Sequence, residues 1–303
     1  MRIFCEMAFR RHGFDSNNER RLGPSEIAKR VGLDEKTVRV RVKKMEDDGF
    51  IKYYQAAPSL DLLGMSDLRS YRFGALNLTT KRNLVEYLQN SQRIVEAFDY
   101  LGTAVSASIA GSSGEEVQRT ADDITSRFEL GQLPLGSIPV RDSAVKPDRL
   151  DWQIIGALRY NARAGANDVA KALGITPKMA EYRIKKLLDA GSMQVRAIID
   201  PRQQQGLIFY ELEISVSEGA QSSVTKKLGE YDEKLWSIKK PREGVLLASL
   251  FGFSLGEPED AAADFSGLAF VKSCSLYVLK EIVEARRPNW IDTLIRNETG
   301  VTP

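Results

Sequence analysis

Basic side chains recur at helical spacing in two separate segments of the chain. The first segment carries Lys36, Arg39, Lys43 and Lys44, and the second carries Lys178, Lys185 and Lys186. Residues three or four positions apart share one side of a helix, so each segment predicts a helix with a basic face. Amines and guanidiniums grouped in this way neutralise phosphates, and the pattern therefore favours contact with duplex DNA.

Other reactive residue types are scarce. The 303-residue chain has one histidine, His12, and two cysteines, Cys5 and Cys274. Most zinc sites and many proton-transfer mechanisms use histidine or cysteine, so we expect no metal site, no cofactor and no catalytic residue. Two cysteines do not support a disulfide-built fold, and Glu6 interrupts the stretch where a signal peptide needs an apolar core. No apolar run reaches the ~18 residues of a membrane span. We therefore expect a cytoplasmic protein without a membrane segment.

An internal repeat organises the chain. Residues 27–49 align without gaps on residues 169–191, and nine of the 23 aligned pairs are identical. The glycines Gly64 and Gly206 keep the same offset of 142 residues. So long a period indicates duplication of whole domains.

Each copy opens with the pattern of three short helices. Asp34 and Thr176 stand at the N-cap position of the third helix, and Gly49 and Gly191 follow its end. Comparison of the spacing in the two copies predicts a polar insertion of about nine residues within residues 10–22 of the first copy. Residues 50–57 and 193–199 then predict a β-ribbon in each copy. This order predicts a winged helix-turn-helix in each copy.

The remaining segments predict the strand and helix order β-α-β-β-α-β. We expect an α+β fold in tandem duplication, each winged helix-turn-helix being followed by a ferredoxin-like domain. The predicted units are residues 1–64, 65–142, 143–206 and 207–303, with net charges of +3, −2, +5 and −4. The positive charge therefore lies on the two helix-turn-helix units. In the first ferredoxin-like unit, residues 71–78 are predicted as the first strand and 81–89 as the first helix.

The chain resembles the Lrp/AsnC family of prokaryotic transcription regulators. Four segments carry the resemblance: residues 26–33, residues 37–51, Leu150-Asp151 followed by Ile154, Ile155 and Leu158, and the Ile199-Asp200-Pro201 sequence before Gly206. It implies DNA binding through the third helix of each copy and a RAM-like regulatory domain of ferredoxin-like fold. Members of the family have one copy per chain and dimerise through that domain. Two fused copies therefore imply an intramolecular pseudo-dimer, with further self-association left open.

We expect DNA contacts from twelve side chains. They are Lys36, Thr37, Arg39, Val40, Arg41, Lys43 and Lys44 in the first copy, and Lys178, Tyr182, Arg183, Lys185 and Lys186 in the second. The N-terminal part of a recognition helix contacts bases in most complexes, whereas later lysines contact phosphates. For Arg41 and Arg183 a second role, binding a carboxylate within the domain, stays open. Because Glu181 replaces Arg39 and Tyr182 replaces Val40, we expect an asymmetric DNA site.

Three questions stay open at this stage. The resemblance implies an amino-acid effector, but the turns at residues 101–103 and 243–244 have no acidic residue at the position where the family commonly carries one. An alternative function is protein interaction without DNA binding. A less favoured alternative is an enzyme similar to the siroheme decarboxylases, which pair the same two domain types; the absence of histidine after His12 weighs against it.

Overall fold

The computed structural model describes residues 24–204 and 206–300, apart from the side chain of Arg30. The predicted first helix of copy one, the insertion at 10–22, Cys5 and His12 lie outside these residues. The described chain begins with α1 (Pro24–Val31) and α2 (Glu35–Asp47), followed by β1 (Ile51–Pro58). Buried Val38 and Val42 of α2 pack on Ile27, Ala28 and Val31. An apolar stripe at helical spacing thus holds α2 against α1.

The first ferredoxin-like unit comprises β2 (Asp67–Gly74), α3 (Leu78–Asn90), β3 (Ile94–Tyr100), β4 (Ala104–Gly111), α4 (Gly114–Phe128) and β5 (Gly131–Pro139). Its element order is the predicted one. The predicted strand at 71–78 was wrong by four residues, because Asn77 caps α3. The Asn77 side chain accepts hydrogen bonds from the backbone amides of Thr79 and Thr80, each 2.9 Å long. The helix therefore begins where the strand was expected to end.

The second copy repeats both units. Its helix-turn-helix comprises α5 (Arg149–Leu158), α6 (Ala166–Leu173) and α7 (Pro177–Asp189), followed by β6 (Met193–Ile199). Its ferredoxin-like unit comprises β7 (Ile208–Val216), α8 (Gln221–Leu228), β8 (Leu235–Arg242), β9 (Val245–Gly252), α9 (Gly256–Ser266) and β10 (Val271–Val283). A final helix, α10, spans Trp290–Thr299, and short 3-10 turns occur at Leu60–Leu63, Pro201–Gln203 and Gly229–Tyr231. The α+β class and the tandem arrangement are confirmed.

The ribbon is shared between the copies. Each helix-turn-helix contributes one strand, and β1 pairs antiparallel with β6, Pro58 opposite Met193 and Ile51 opposite Ile199. The prediction of a separate ribbon in each copy was therefore wrong. A single strand leaves its amide and carbonyl groups unpaired on both edges, and the duplicated chain supplies the matching strand.

The eight other strands form one sheet in the order β5-β2-β4-β3-β10-β7-β9-β8. Antiparallel pairing of β3 with β10 joins the two ferredoxin-like units, with Ala97 opposite Val283. The outer strands β5 and β8 also lie against each other, since a methyl group added at Gly136 would lie 3.0 Å from the Cα of Pro241. The sheet therefore curves until its two edges meet, and its inner face is enclosed.

The inner face holds a buried charged cluster. The Arg72 side chain of β2 is 4% exposed and binds the carboxylates of Glu211 and Glu213 on β7. Its guanidinium carbon lies 3.6 Å from the centroid of the Tyr277 ring and 5.5 Å from that of Tyr100. The ion pairs and the cation–π contact compensate the cost of burying this charge.

Arg72 and Glu213 occupy equivalent positions in the two copies. Asp67 of β2 pairs with Gly111 at the end of β4, and Ile208 of β7 pairs with Gly252 at the end of β9. Arg72 lies five residues after Asp67, and Glu213 lies five residues after Ile208. Where the two copies contact each other, two equivalent positions therefore carry opposite charges.

The C-terminal helix returns to the second helix-turn-helix. Asp292 of α10 and Arg159, each about 1% exposed, form an ion pair of 2.8 Å. The Arg159 guanidinium also donates to the carbonyl of Ala56 in β1, at 2.9 Å. This pair connects α5, the shared ribbon and α10. Across residues 24–204 and 206–300, no helix is long and apolar enough to cross a membrane.

Candidate nucleic-acid interface

Local sequence explains why α2 presents its basic face outward. The Asp34 carboxylate accepts a hydrogen bond of 2.8 Å from the backbone amide of Thr37 and fixes the start of the helix. This bond and the Thr37 hydroxyl bond lower the pKa of Asp34. Because Val38 and Val42 point into the core, the opposite face is left to solvent.

Six of the seven residues predicted in the first copy lie on this exposed surface. They are Lys36, Arg39, Val40, Arg41, Lys43 and Lys44. The apolar Val40 side chain is 61% exposed. An outward valine on a recognition helix is suited to contact with a thymine methyl group. The seventh residue, Thr37, is half-buried, and its hydroxyl bonds Asp34 at 2.5 Å, so it stabilises the helix cap.

Three of these cations form ion pairs with carboxylates that lie four residues before or after them in the sequence. Arg39 bonds Glu35, with Nε 2.9 Å from Oε1. The Lys43 ammonium lies 2.9 Å from Asp47, and the Lys44 ammonium lies 3.7 Å from Asp48. Exposed pairs of this spacing contribute little to stability, because solvent screens them. A phosphate can therefore replace each carboxylate at little energetic cost.

The second recognition helix, α7, is capped by Thr176, whose hydroxyl accepts from the amide of Met179 at 3.2 Å. Its buried stripe is Ala180, Ile184 and Leu187. Three predicted residues are exposed on the opposite face: Lys178, Tyr182 and Lys185, with Tyr182 66% exposed. This face thus combines two lysines with an aromatic ring, whereas α2 presents Val40 at the position of Tyr182 and Arg39 at the position of Glu181.

The other two predicted cations of α7 are held inside the domain. The Arg183 guanidinium binds Asp148 and also Asp151, at 2.9 Å, and the Lys186 ammonium lies 3.3 Å from Asp151. Asp151 is fully buried, and the hydrogen bond from Arg183 lowers the pKa of Asp148. Arg183 therefore has the carboxylate-binding role that the sequence left open. Its counterpart Arg41 is exposed.

Sequence reasoning missed the contacts that join the two helix-turn-helix units. Glu46, in the last turn of α2, binds Arg163 of the loop between α5 and α6. The Tyr54 hydroxyl of β1 donates to the same carboxylate at 2.7 Å. No local motif marks Arg163, which lies 117 residues from Glu46. Within the described ranges, no group of three or more histidine, cysteine, aspartate and glutamate side chains is arranged to hold a metal ion.

Two family models match the two copies. The AsnC-type helix-turn-helix domain matches residues 148–188, and the winged helix-turn-helix DNA-binding domain matches residues 17–52. No curated protein matches the sequence.

Solved structures similar to this chain fall into two groups. The siroheme decarboxylase NirDL is 12% identical, covers 98% of this chain and 96% of its own, and superposes with a TM-score of 0.54, which shows a common fold. E. coli AsnC is 20% identical and covers 45% of this chain and 93% of its own, with a TM-score of 0.36. The transcriptional regulator NMB0573 of Neisseria meningitidis, solved with L-Met, is 16% identical, covering 49% and 99%, with a TM-score of 0.39.

The residues and the family matches lead to one conclusion. Each copy contains a helix-turn-helix DNA-binding domain, and the helix that such domains insert into DNA presents exposed cations in both copies. The chain therefore carries an AsnC-type helix-turn-helix domain in its second copy and a winged helix-turn-helix DNA-binding domain in its first, on a duplicated fold that is similar to that of siroheme decarboxylase NirDL.

Proposed function

We propose that the protein is a sequence-specific transcription regulator of Lrp/AsnC type that binds an asymmetric DNA site as an intramolecular pseudo-dimer. One observation carries this proposal. Two recognition helices with different exposed faces belong to one chain and are connected through the shared ribbon of β1 and β6. Dimeric helix-turn-helix proteins bind two half-sites because their two-fold symmetry repeats the recognition helix. The duplication repeats it within one chain.

The exposed side chains divide into two roles in this proposal. Lys36, Arg39 and Val40 lie in the N-terminal half of α2 and contact base edges, as do Lys178 and Tyr182 of α7. Arg41, Lys43, Lys44 and Lys185 contact phosphates. Thr37, Arg183 and Lys186, which bind carboxylates of their own domains, keep the recognition helices in place.

The asymmetry follows from the side chains at matching positions. Arginine bonds guanine in the major groove, and valine contacts the thymine methyl group. The carboxylate of Glu181, at the position of Arg39, accepts from cytosine and repels phosphate. The bulk and hydroxyl of Tyr182 replace the small apolar Val40. The two half-sites are therefore different sequences, and a selected operator that is a perfect palindrome would contradict this part of the proposal.

The proposal also assigns four units to the chain. Residues 1–64 and 143–206 bind DNA, and residues 65–142 and 207–303 hold the two copies together. The enclosed charged cluster around Arg72 and the pairing of β3 with β10 support this division, because both connect the ferredoxin-like units across the two copies.

Fluorescence anisotropy on a mixed pool of genomic duplexes tests the proposal. Wild-type binding is expected to weaken steeply between two salt concentrations, since bound cations release counterions from DNA. Replacing Lys36, Arg39, Lys43 and Lys44 with alanine is expected to weaken binding and to make the salt slope shallower by about one per lost phosphate contact.

A matched control replaces four exposed cations of the ferredoxin-like units with alanine: Arg119, Lys226, Lys240 and Lys272. This control removes the same charge from the chain and is expected to leave the salt slope as in the wild type. Equal losses in both variants would show that only net charge matters. Absence of wild-type binding would favour the alternative, a protein-interaction module without DNA binding.

An amino-acid effector, implied by the family resemblance, is a separate part of the proposal. The turn at residues 101–103 connects β3 and β4 and carries no carboxylate. Repeating the anisotropy measurement with each free amino acid decides the question. A changed affinity for DNA would identify an effector. An unchanged affinity with every amino acid would exclude an amino-acid effector.

A second candidate function rests on the fold alone. Siroheme decarboxylase NirDL matches both copies of the chain over nearly its whole length. The buried cation of the inner face, Arg72, is already paired with two carboxylates, and the only histidine, His12, is outside the described residues. Mixing the purified protein with siroheme tests this candidate: a stoichiometric spectral change followed by loss of carboxylate would support it, and an unchanged spectrum would exclude it.

A further inference from the structure

A three-residue bridge connects the first recognition helix to the second helix-turn-helix. The Glu46 carboxylate accepts hydrogen bonds from the Tyr54 hydroxyl, at 2.7 Å, and from the Arg163 guanidinium. The guanidinium carbon of Arg163 lies 4.4 Å from the centroid of the Tyr54 ring. Burial raises the pKa of Tyr54, and the phenol keeps the proton that it donates. We refer to these residues as the Glu46–Tyr54–Arg163 bridge.

The backbone beside the bridge is also bound to the second copy. The amide of Ala162 donates to the carbonyl of Tyr54 at 3.0 Å, and the amide of Ala56 donates to the carbonyl of Arg159 at 3.2 Å. One edge of β1 therefore pairs with β6, and the other edge is bonded to residues 159–162. The strand is fixed to the second helix-turn-helix on both sides.

Among the described residues, the helix that precedes β1 has fewer attachments to the second copy. The apolar core of the first helix-turn-helix, formed by α1 and α2, is separate from that of the second. Gly49, with a φ of +74°, connects α2 to β1. In the described part of the chain, packing of Met45 under the ribbon and the bridge at Glu46 connect α2 to the structure beyond this glycine.

Small rotations at Gly49 would change the DNA register. Lys36 lies 13 residues before Gly49, which is about 20 Å along a helix. A rotation of about 10° would move that end of α2 by about 3.4 Å, the rise of one base pair. A stable spacing between two half-sites therefore requires that this rotation be restricted.

We propose that the Glu46–Tyr54–Arg163 bridge fixes the spacing between the two half-sites. This inference rests on the proposed function, and the bridge residues act by positioning α2. The ion pair and the hydrogen bonds of this bridge hold α2 at one angle to the second helix-turn-helix. Without them, the first recognition helix reaches more than one register on DNA.

Selection from a random duplex pool tests the inference, using wild type, Arg163→Met and the control Arg119→Met. The wild type is expected to select one half-site spacing. In Arg163→Met the preference for that spacing over one shifted by a base pair is expected to fall about three- to ten-fold, as for loss of a half-exposed charged hydrogen bond. Arg119→Met, which removes an exposed arginine from α4, is expected to match the wild type. If Arg163→Met prefers the wild-type half-site spacing as strongly as the wild type does, the inference is overturned.

A second measurement decides the inference without DNA. Spin labels at the exposed positions of Val40 and Tyr182, introduced as Val40→Cys and Tyr182→Cys with Cys5→Ser and Cys274→Ser, report the distance between α2 and α7. We expect one narrow distance distribution in the otherwise unchanged chain and a wider one after Arg163→Met. Equal widths would overturn the inference even if DNA binding is confirmed. Absence of DNA binding with the expected difference in width would contradict the proposed function and the role in half-site spacing, and would leave the bridge as a restraint on the angle of α2.

Discussion

Breaking the buried Arg159–Asp292 pair is expected to destabilise the second helix-turn-helix strongly. Both side chains are about 1% exposed, and their Nε and Oδ1 atoms are 2.8 Å apart. In Arg159→Met, the Asp292 carboxylate keeps two donors, the Tyr160 hydroxyl at 2.5 Å and the amide of Asn289 at 2.8 Å. It loses Arg159, the one cation that pairs with it within the described part of the chain. Removing one member of a buried ion pair costs about 3–5 kcal/mol.

The expected loss is large enough to measure in the intact chain. At roughly 2–4 °C per kcal/mol for a protein of this size, the transition would fall by about 6–20 °C. Urea unfolding followed by tryptophan fluorescence reports this region, because Trp152 and Trp290 belong to the apolar cluster of the second helix-turn-helix. Arg296→Met, an exposed arginine on the same helix, is the matched control and is expected to change stability by less than about 0.5 kcal/mol.

A double variant separates the pair from its surroundings. Arg159→Met with Asp292→Leu leaves no buried unpaired charge, so its cost is expected to be smaller than the sum of the two single costs. Additive costs, or single costs below about 1 kcal/mol, would refute the reasoning that charge pairing holds this site together.

Three further predictions concern charged groups elsewhere in the chain. Arg183→Met is expected to lower the melting temperature without a selective loss of DNA affinity. Arg41→Met is expected to lower the DNA affinity and to leave the melting temperature unchanged, and thermal melts and anisotropy measure the two quantities. The hydrogen-bonded ion pair with Arg202 lowers the pKa of Asp200 to about 2, below its ordinary value of 3.8. The resulting stabilisation is present above about pH 4 and is lost as the pH falls towards 2. On acidification, the melting temperature should therefore fall less in Asp200→Asn than in the wild type. Arg72→Glu and Glu213→Arg are each expected to destabilise the fold, and the double exchange to recover most of the loss; no recovery in thermal melts would contradict the pairing.

Sequence was sufficient for the local features of the recognition helices. Asp34 and Thr176 cap α2 and α7 as expected. These features depend on neighbouring residues, and short-range patterns therefore report them. The strand assigned to 71–78 failed for a local reason too: Leu76 and Leu78 are apolar residues that a strand accommodates, but the Asn77 side chain caps a helix there.

The features that connect distant parts of the chain were not predictable from local patterns. The pairing of β1 with β6 needs the structure, because a single strand does not indicate its partner. Arg159 and Asp292 are 133 residues apart, and each is ordinary in its own segment. Arg183 illustrates the intermediate case, since the sequence left two roles open and the structure shows its ion pair with the buried Asp151.

The opposite charges at the equivalent positions of Arg72 and Glu213 have an evolutionary consequence. In a dimer of identical chains, a residue near the two-fold axis faces its own copy, and one mutation changes both sides at once. An arginine would there oppose an arginine in a buried setting, which is strongly unfavourable. Gene duplication with fusion removes this constraint, because each half can then mutate alone. Two copies of the first half would now bring two arginines together, and two copies of the second half would bring two glutamates together. Neither half is therefore suited to pair with a second copy of itself.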